Sequence, residues 1–486
     1  MRILNAQTLT GHGNKAGRRD IVEIMEAALF AVNPYNNAKK LVRLENRKLI
    51  FDCREFEPDN DPDSGPEVID LEKIENIYVF GAAKGIQWVA KAFEDVLGDC
   101  LTGGHVIAKY GDTQLLTKIG VTYAAHPVPD GNSVAGCLKI IEYADKITER
   151  DLVITITGNG VSSLLTLPEE GISLEDVRRL TYMMQIEKGV STIELNTVRN
   201  HVDQLKGGKL SSLFKKSRMI HIAIIDPNHH VVQDPRHDYI GLMRNNVWLH
   251  NLPDSSTFDD AILVLHRYGA WDECPLSIRT FLTDADPAKE TVKYEDFTSM
   301  RFRVFGIMPS GSNFIMAGRK KAEELGYKAV TLSQMIMAEA QEAGKYAGAI
   351  ANNIEIYGEP FKAPIALFST GEMLVTVARH KGIGGRNQEF ALSAAMKIAG
   401  TKHIVIGSAD TDGTDGPGGF VFDGAPKCLG GGIVDGETAK EASALGIDIL
   451  EALLTHSTSE ALWKLGCGIH MEQCISLVDL TVILVK

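Results

Sequence analysis

Lys381-Gly382-Ile383-Gly384-Gly385-Arg386-Asn387-Gln388-Glu389-Phe390 is a glycine-hinged loop with a fixed positive charge, and Asp410-Thr411-Asp412-Gly413-Thr414-Asp415-Gly416 follows it with three carboxylates at every second or third position. A guanidinium grips a phosphate or carboxylate through two parallel N–H bonds. Aspartates in such a loop hold Mg²⁺ or orient a hydroxyl. Together these are the parts that transfer of a phosphoryl group to a small acid requires. The acidic run equally suits an Asp/Gly turn with solvated carboxylates. It is not an EF-hand, which needs a glutamate at its twelfth position and flanking helices, whereas this loop follows the strand-like run Ile404-Val405-Ile406.

Four other segments carry polar chemistry. In Gly81-Ala82-Ala83-Lys84, small residues let backbone amides approach an anion, and Lys84 is expected in the first turn of a helix. The spacing is neither a Walker A loop nor a full dinucleotide fingerprint. Close helix–sheet packing with a solvated Lys84 is the plainer alternative. Gly158-Asn159-Gly160-Val161-Ser162-Ser163 offers amides and two hydroxyls to an anion, or simply a turn and a helix cap. No GxSxG elbow and no Ser/His/Asp arrangement is found, which argues against a hydrolase. Asn196-Thr197-Val198-Arg199-Asn200-His201 and Lys206-Gly207-Gly208-Lys209 are basic within an acidic chain. Arg199 and Lys206 share a face if one helix carries both, although a solvated face is the default. Asp226-Pro227-Asn228-His229-His230 and Asp234-Pro235-Arg236-His237-Asp238 lack the helical spacing of a metal site and are read as a polar flap.

The elements that must position these loops alternate. At 486 residues, 44% hydrophobic and 23% charged, the chain is expected to form two soluble α/β lobes. Its net charge of −13 argues against nucleic acid as a partner but allows a local cationic pocket. The seven cysteines are unpatterned and read as free thiols. No run of 18 apolar residues occurs and residues 1–20 lack an apolar core, so a cytoplasmic protein with no membrane partner is expected. A helix is predicted over 21–32. Strands are predicted at 76–80, 121–125, 152–157 and 220–225, each running into one of the polar loops, as in a doubly wound sheet. A second set is read from a strand at 301–307, a helix from 335 to about 354, a strand at 365–368, a helix over 387–399 and a closing strand at 481–485. The lobe boundary is expected between about 267 and 302, and no low-complexity segment is seen beyond the glycine cluster Gly430 to Gly432.

In combination the loops resemble the class II glycerate kinases, a family with a DUF4147-type N-terminal part and a MOFRL C-terminal domain. Gly81 to Lys84 is similar to that family's GxGKA loop. His126-Pro127-Val128-Pro129-Asp130 matches HPxPD, and Gly158 to Ser163 matches its glycine-rich block. Asn196 to Arg199 with Lys206-Gly207-Gly208 matches N.VR…KGG. Ser369-Thr370-Gly371-Glu372, Gly384 to Phe390 and Thr411 to Gly416 match the MOFRL motifs. The chain departs at Asn159, at Thr370, and from Asp226 to about Trp248, where the family's GDD segment is not readable. The resemblance implies a Rossmann-like parallel-sheet domain over 1–290, whose first helix is allowed to pack on the other lobe. It implies an α/β lobe over 291–486 with MOFRL motifs in 360–486, and an active site in the interdomain cleft. It implies ATP-dependent phosphorylation of D-glycerate, or a closely related hydroxy acid, with ATP and Mg²⁺ as cofactors. Lys84, Arg386, Asp412 and Asp415 are the implied catalytic residues, the last two also as metal ligands. Gly158, Asn159, Gly160, Ser162, Ser163, Asn196, Arg199 and Lys206 are the implied substrate contacts. Gly81, Gly371, Glu372, Gly384, Gly385, Asn387 and Asp410 are the implied nucleotide contacts. A homodimer is the candidate assembly. The alternatives are an NAD(P)H-dependent hydroxypyruvate reductase, as an old family label suggests, and a non-catalytic small-acid-binding member.

Overall fold

The computed structural model describes residues 2–228, 238–308, 311–377, 382–419, 422, 424–474 and 478–486. The chain forms two compact units, Pro34–Ser310 and a discontinuous one made of Met1–Asn33 with Gly311–Lys486. The polar flap residues His229, His230 and 234–237, together with Ser310 and Lys381, lie outside the described residues.

In Pro34–Ser310, strands β1 (Val42–Glu45), β2 (Lys48–Phe51) and β3 (Glu67–Asp70) form a small antiparallel sheet. The main sheet is made of β4 (Asn76–Ala82), β5 (Gly103–Lys109), β6 (Gly120–Ala124), β7 (Asp151–Gly158), β8 (Arg218–Ile224) and β9 (Arg301–Gly306). It is parallel throughout, in the order β6-β5-β4-β7-β8-β9. Strand β7 is buried along its whole length and β4 beyond its first residue, which is why both read as continuous Val/Ile-rich runs. Strand β9 was expected in the second lobe. It instead pairs with β8, Arg218 opposite Arg301, so a boundary at 290 would cut an edge strand from its sheet. Beside the sheet, helices Leu174–Tyr182, Thr192–His201, Phe258–Arg267 and Leu276–Asp284 enclose their own apolar core, including Leu180, Leu195, Val198 and Leu265. That cluster carries Asn196 and Arg199.

The second unit is built on β10 (Lys328–Ile336), β11 (Ile365–Gly371), β12 (Ile404–Asp410), β13 (Gly431–Asp435), β14 (Gly468–Ile469) and β15 (Asp479–Val485). They lie in the order β10-β11-β15-β12-β13-β14, with only β10 and β11 parallel. The helix predicted from 335 begins later, at Ala340–Tyr357, because β10 runs on to Ile336 beside β11. Of the glycine cluster at 430–432, Gly431 and Gly432 begin strand β13, where Gly432 fits against Ala391 and Leu462. Helix Ala340–Tyr357 crosses the buried helix Arg386–Lys397 through small residues: a methyl on Gly344 would stand 2.3 Å from the Phe390 carbonyl oxygen. Helix Lys15–Ala31 packs on helix Gly311–Glu324, β12 and β15, and its fully buried Arg18 pairs with Asp435 at 2.5 Å. Among the described residues no helix is long and apolar enough to cross a membrane.

Candidate functional site

In an open parallel sheet, ligands bind beyond the strand C-termini where the strand order reverses. Here that point lies between β4 and β7, and both ends open into loops picked out by the sequence. The Lys84 amide donates to the Asn159 carbonyl at 2.8 Å, fastening the two loops together. Gly85, left-handed at φ 64°, caps helix Ile86–Leu97, so Lys84 precedes the helix rather than standing in its first turn. Gly160 is also left-handed at φ 86°, and a methyl there would meet Lys84 Cγ at 3.0 Å and His126 Cδ2 at 3.2 Å. The glycine therefore lets both side chains stand over the turn. Among the described residues the half-buried Lys84 has no carboxylate within ion-pair distance.

Arg199 is 6% exposed, yet its partners are neutral: it donates to Asn196 Oδ1 at 3.3 Å and Gln185 Oε1 at 3.2 Å. Burial pushes its pKa down to about 10, which leaves it charged at neutral pH. Asn196 Nδ2 is buried with no partner, as is Nδ1 of His250, whose Nε2 bonds the Ser162 hydroxyl at 3.1 Å. Burial, aided by Lys84, Lys109 and Arg199, pushes His126 down to about 4. Burial, aided by Lys206 and Arg199, holds His250 well below its ordinary value. Both imidazoles are thus neutral beside a charged guanidinium. A buried cation without a counter-ion costs several kcal/mol, a cost that an incoming carboxylate or phosphate offsets.

Not every expected contact joins this group. Helix Thr192–His201 ends before Lys206, so Lys206 and Arg199 do not share a helical face. Lys206 is itself buried, bonded to Asp203 Oδ2 at 2.5 Å and to the Thr166 hydroxyl at 3.0 Å, which makes it a structural ion pair. Ser163 donates to the Ala125 carbonyl at 3.0 Å and so ties the turn to β6. Gln185, His250 and Asp203 were not singled out from the sequence. Gln185 lies 14 positions and His250 51 positions from Arg199, with no motif to link them.

In the second unit, strand register rather than spacing assembles the site. Asp410 at the end of β12 and Gly371 at the end of β11 both stand opposite Asp479, the first residue of β15. Arg386, the first residue of helix Arg386–Lys397, donates through Nε to both oxygens of Asp479 at 2.8 and 2.9 Å, and through Nη2 to Asp410 at 2.9 Å, with Glu372 at 3.5 Å. Burial alone would lower the Arg386 pKa, but Asp479 and Asp410 hold it above its ordinary value. Arg386 is therefore not the uncommitted cation the sequence suggested. Its Nη1 alone has no partner among the described residues. Burial and the neighbouring Asp412 push the Asp410 carboxyl well above its usual range. Asp412 accepts from the Thr414 amide and hydroxyl, both at 2.7 Å.

Asp415 has a different place from the one expected. It accepts from the amides of Asn387 (3.1 Å) and Gln388 (2.9 Å) and from Asn387 Nδ2 (3.2 Å), capping the buried helix start. A methyl on Gly385 would lie 2.3 Å from its carboxyl carbon, so no ligand has room there. Asn387 is likewise saturated, donating to Asp479 at 2.7 Å and accepting from Ser408 at 2.6 Å. Gly384 packs against Thr458. Burial pushes Asp415 up to about 6 against these amide bonds. A carboxyl with a raised folded pKa stabilises fully below its unfolded value of about 4 and loses that contribution as pH rises through about 6. Urea unfolding between pH 4 and 7 should show this fall in the unaltered protein and a flatter profile in Asp415→Asn.

Among the described residues no three His, Cys, Asp or Glu side chains converge as a ready metal-ligand set. Mg²⁺ in phosphoryl-transfer sites commonly takes one or two carboxylates, water and the phosphates themselves. Asp410, paired with Arg386, and its crowded neighbour Asp412 suit that smaller demand.

The sequence matches the domain of unknown function DUF4147 over residues 20–283 and the MOFRL family over residues 365–476. It is 32% identical over 455 residues to the glycerate 2-kinase of Pyrococcus horikoshii, covering 92% of each chain. It is 33% identical over 401 residues to the D-glycerate 2-kinase of Thermotoga maritima, covering 82% of this chain and 88% of that one. The crystal structure of a glycerate kinase from Thermotoga maritima superposes with a TM-score of 0.75 at 30% identity, covering 97% of this chain and all of the other.

Proposed function

The chain belongs to the glycerate kinase family, and from that premise we propose that it transfers the γ-phosphoryl group of ATP to a hydroxyl of D-glycerate, giving 2-phosphoglycerate. The observation that carries the acceptor side is Arg199, buried near the switch-point loops with no carboxylate partner among the described residues and beside an unpartnered Asn196 amide. A small carboxylate supplies the missing charge, and its bidentate fit to a guanidinium orients it. Asn196 Nδ2 donates to the same anion. Lys84 meets the negative charge on the transferring oxygens, where a fixed cation stabilises the transition state more than the ground state. His126 and His250, both neutral, add dipoles without repelling a cationic neighbour.

ATP when bound supplies the electrophilic phosphorus. Arg386 offers Nη1 to its phosphate oxygens, while Asp479 and Asp410 fix the guanidinium plane. Asp410 and Asp412 would hold Mg²⁺ against those phosphates. Glu372 and Gly371 border this group. Asp415, Asn387, Gly384 and Gly385 shape the loop without touching ligand. The hydride-transfer alternative lacks support at the β4 loop, since Gly81-Ala82-Ala83-Lys84-Gly85 has no dinucleotide fingerprint.

The test is ADP release with D-glycerate, Mg²⁺ and ATP, with the product position read by phosphorus NMR. The expected result is acceptor-dependent turnover yielding the 2-phosphate. Turnover no higher than without acceptor would sink the assignment.

A further inference from the structure

The buried Arg18 and Arg303 and the partly exposed Arg386 are answered by carboxylates, whereas the buried Arg2 donates to the Glu472 carbonyl. Arg18 has Asp435 at 2.5 Å, Arg386 has Asp479 at 2.8 Å, and Arg303 has Glu57 and Asp61 at 3.8 and 3.7 Å. Arg199 is different: two side-chain amide oxygens hold it. One of them, Gln185 Oε1, comes from a π-helical turn, Met183–Glu187, that continues helix Leu174–Tyr182. There the Lys188 amide bonds the Met183 carbonyl at 3.0 Å, five residues back. A π turn wastes packing and hydrogen-bond geometry relative to an α turn, so such turns tend to persist where they place a functional side chain. Met183 and Glu187 of the same turn line an open cavity of about 670 Å³ together with Val128, two residues after His126. The turn therefore meets Arg199 through Gln185 and solvent-accessible space through its ends.

We infer that Gln185 is a positioning residue for the acceptor: it fixes the Arg199 guanidinium through a neutral oxygen, so that the whole charge stays available to an incoming carboxylate. This rests on the reading of Arg199 as the acceptor's anion site. A glutamate at the same place would have nearly the same shape but would answer the guanidinium itself and repel a second carboxylate. Glutamine and glutamate are thus interchangeable for packing and opposite for binding.

The experiment compares Gln185→Glu with the neutral, near-isosteric Gln185→Met, each checked for an unchanged unfolding midpoint. In steady state with ATP, Gln185→Glu should raise KM for D-glycerate about tenfold or more, with KM for ATP within about twofold of the unaltered value. Gln185→Met should raise the acceptor KM less. An acceptor KM within about twofold for Gln185→Glu, or a larger effect from methionine than from glutamate, overturns the inference. Should Gln185→Glu not fold, Gln185→Met decides alone: loss of the neutral oxygen should raise the acceptor KM with KM for ATP within about twofold, and an unchanged acceptor KM overturns the inference. Calorimetric binding of D-glycerate and of inorganic phosphate without ATP separates the two levels. If the unaltered protein binds phosphate but not D-glycerate, the acceptor reading fails, and the order of phosphate affinities, glutamate weaker than methionine, still decides for or against Gln185.

Discussion

Lys84→Ala should lower kcat with ATP and D-glycerate by about 10²–10³-fold, the usual loss when one preorganised donor to a developing charge is removed. The unfolding midpoint should stay near that of the unaltered protein. The two halves of this expectation have separate causes. The ammonium has no carboxylate within ion-pair distance among the described residues, so its removal breaks no ion pair, although it takes one of the cations that favour the Asp112 carboxylate. The Lys84 backbone, which bonds Asn159, is unchanged by the substitution. Lys84→Arg should recover only part of the rate, because Gly160 and His126 leave little width around the stem. Coupled ADP release and a thermal melt check both halves. Near-normal turnover, or a midpoint falling along with the rate, would remove Lys84 from its assigned place.

Arg386→Ala should do both kinds of damage. Asp479 is 2% exposed and its two oxygens face the guanidinium. Removing that cation leaves the buried Asp479 and Asp410 carboxylates without their counter-charge, a loss of about 3 kcal/mol, the low end for breaking a buried pair because Arg386 is itself partly exposed and Asp479 keeps its bonds from Met373 and Asn387. Turnover should fall by about 10²-fold or more as the phosphate donor Nη1 disappears. Adding Asp479→Asn to Arg386→Ala should restore part of the stability and none of the rate. Non-additivity in denaturant unfolding is the readout. Full stability in Arg386→Ala, or rescue of turnover by the second change, would contradict the division of labour between Nε, Nη2 and Nη1.

The two variants mark how far the sequence could be read. Where chemistry sits on consecutive residues it was visible: the β4 and β7 loops, the Asn196 and Arg199 pair on one helix, and the Asp410 to Asp415 run. What depends on register was not. Asp479 stands in an unremarkable Val-Asp-Leu segment, and only the pairing of β12, β15 and β11 brings it opposite Asp410 and Gly371. The same applies to His250, which reaches Ser162 across 88 positions. Burial was also illegible at single residues. Asp415 and Asp412 are chemically alike and three apart, yet one caps a helix in a space too tight for a ligand and the other's carboxylate accepts, among the described residues, from Thr414. The misassignment of β9 has a similar source: its sequence pattern is that of any strand, and the polar run before it resembled a linker.

The discontinuous unit has a consequence for how the chain is made. Residues 1–33 supply a helix and the buried Arg18 to a sheet whose strands begin at Lys328. Roughly 280 residues separate the two pieces, and at about 5–20 residues per second a ribosome needs some tens of seconds to produce them. During that interval Pro34–Ser310 can complete its parallel sheet, while Ile21, Ile24, Met25 and Leu29 leave the exit tunnel with nothing to cover them. A segment made before Pro34–Ser310 is thus buried after it, which makes it the natural station for a chaperone on the nascent chain.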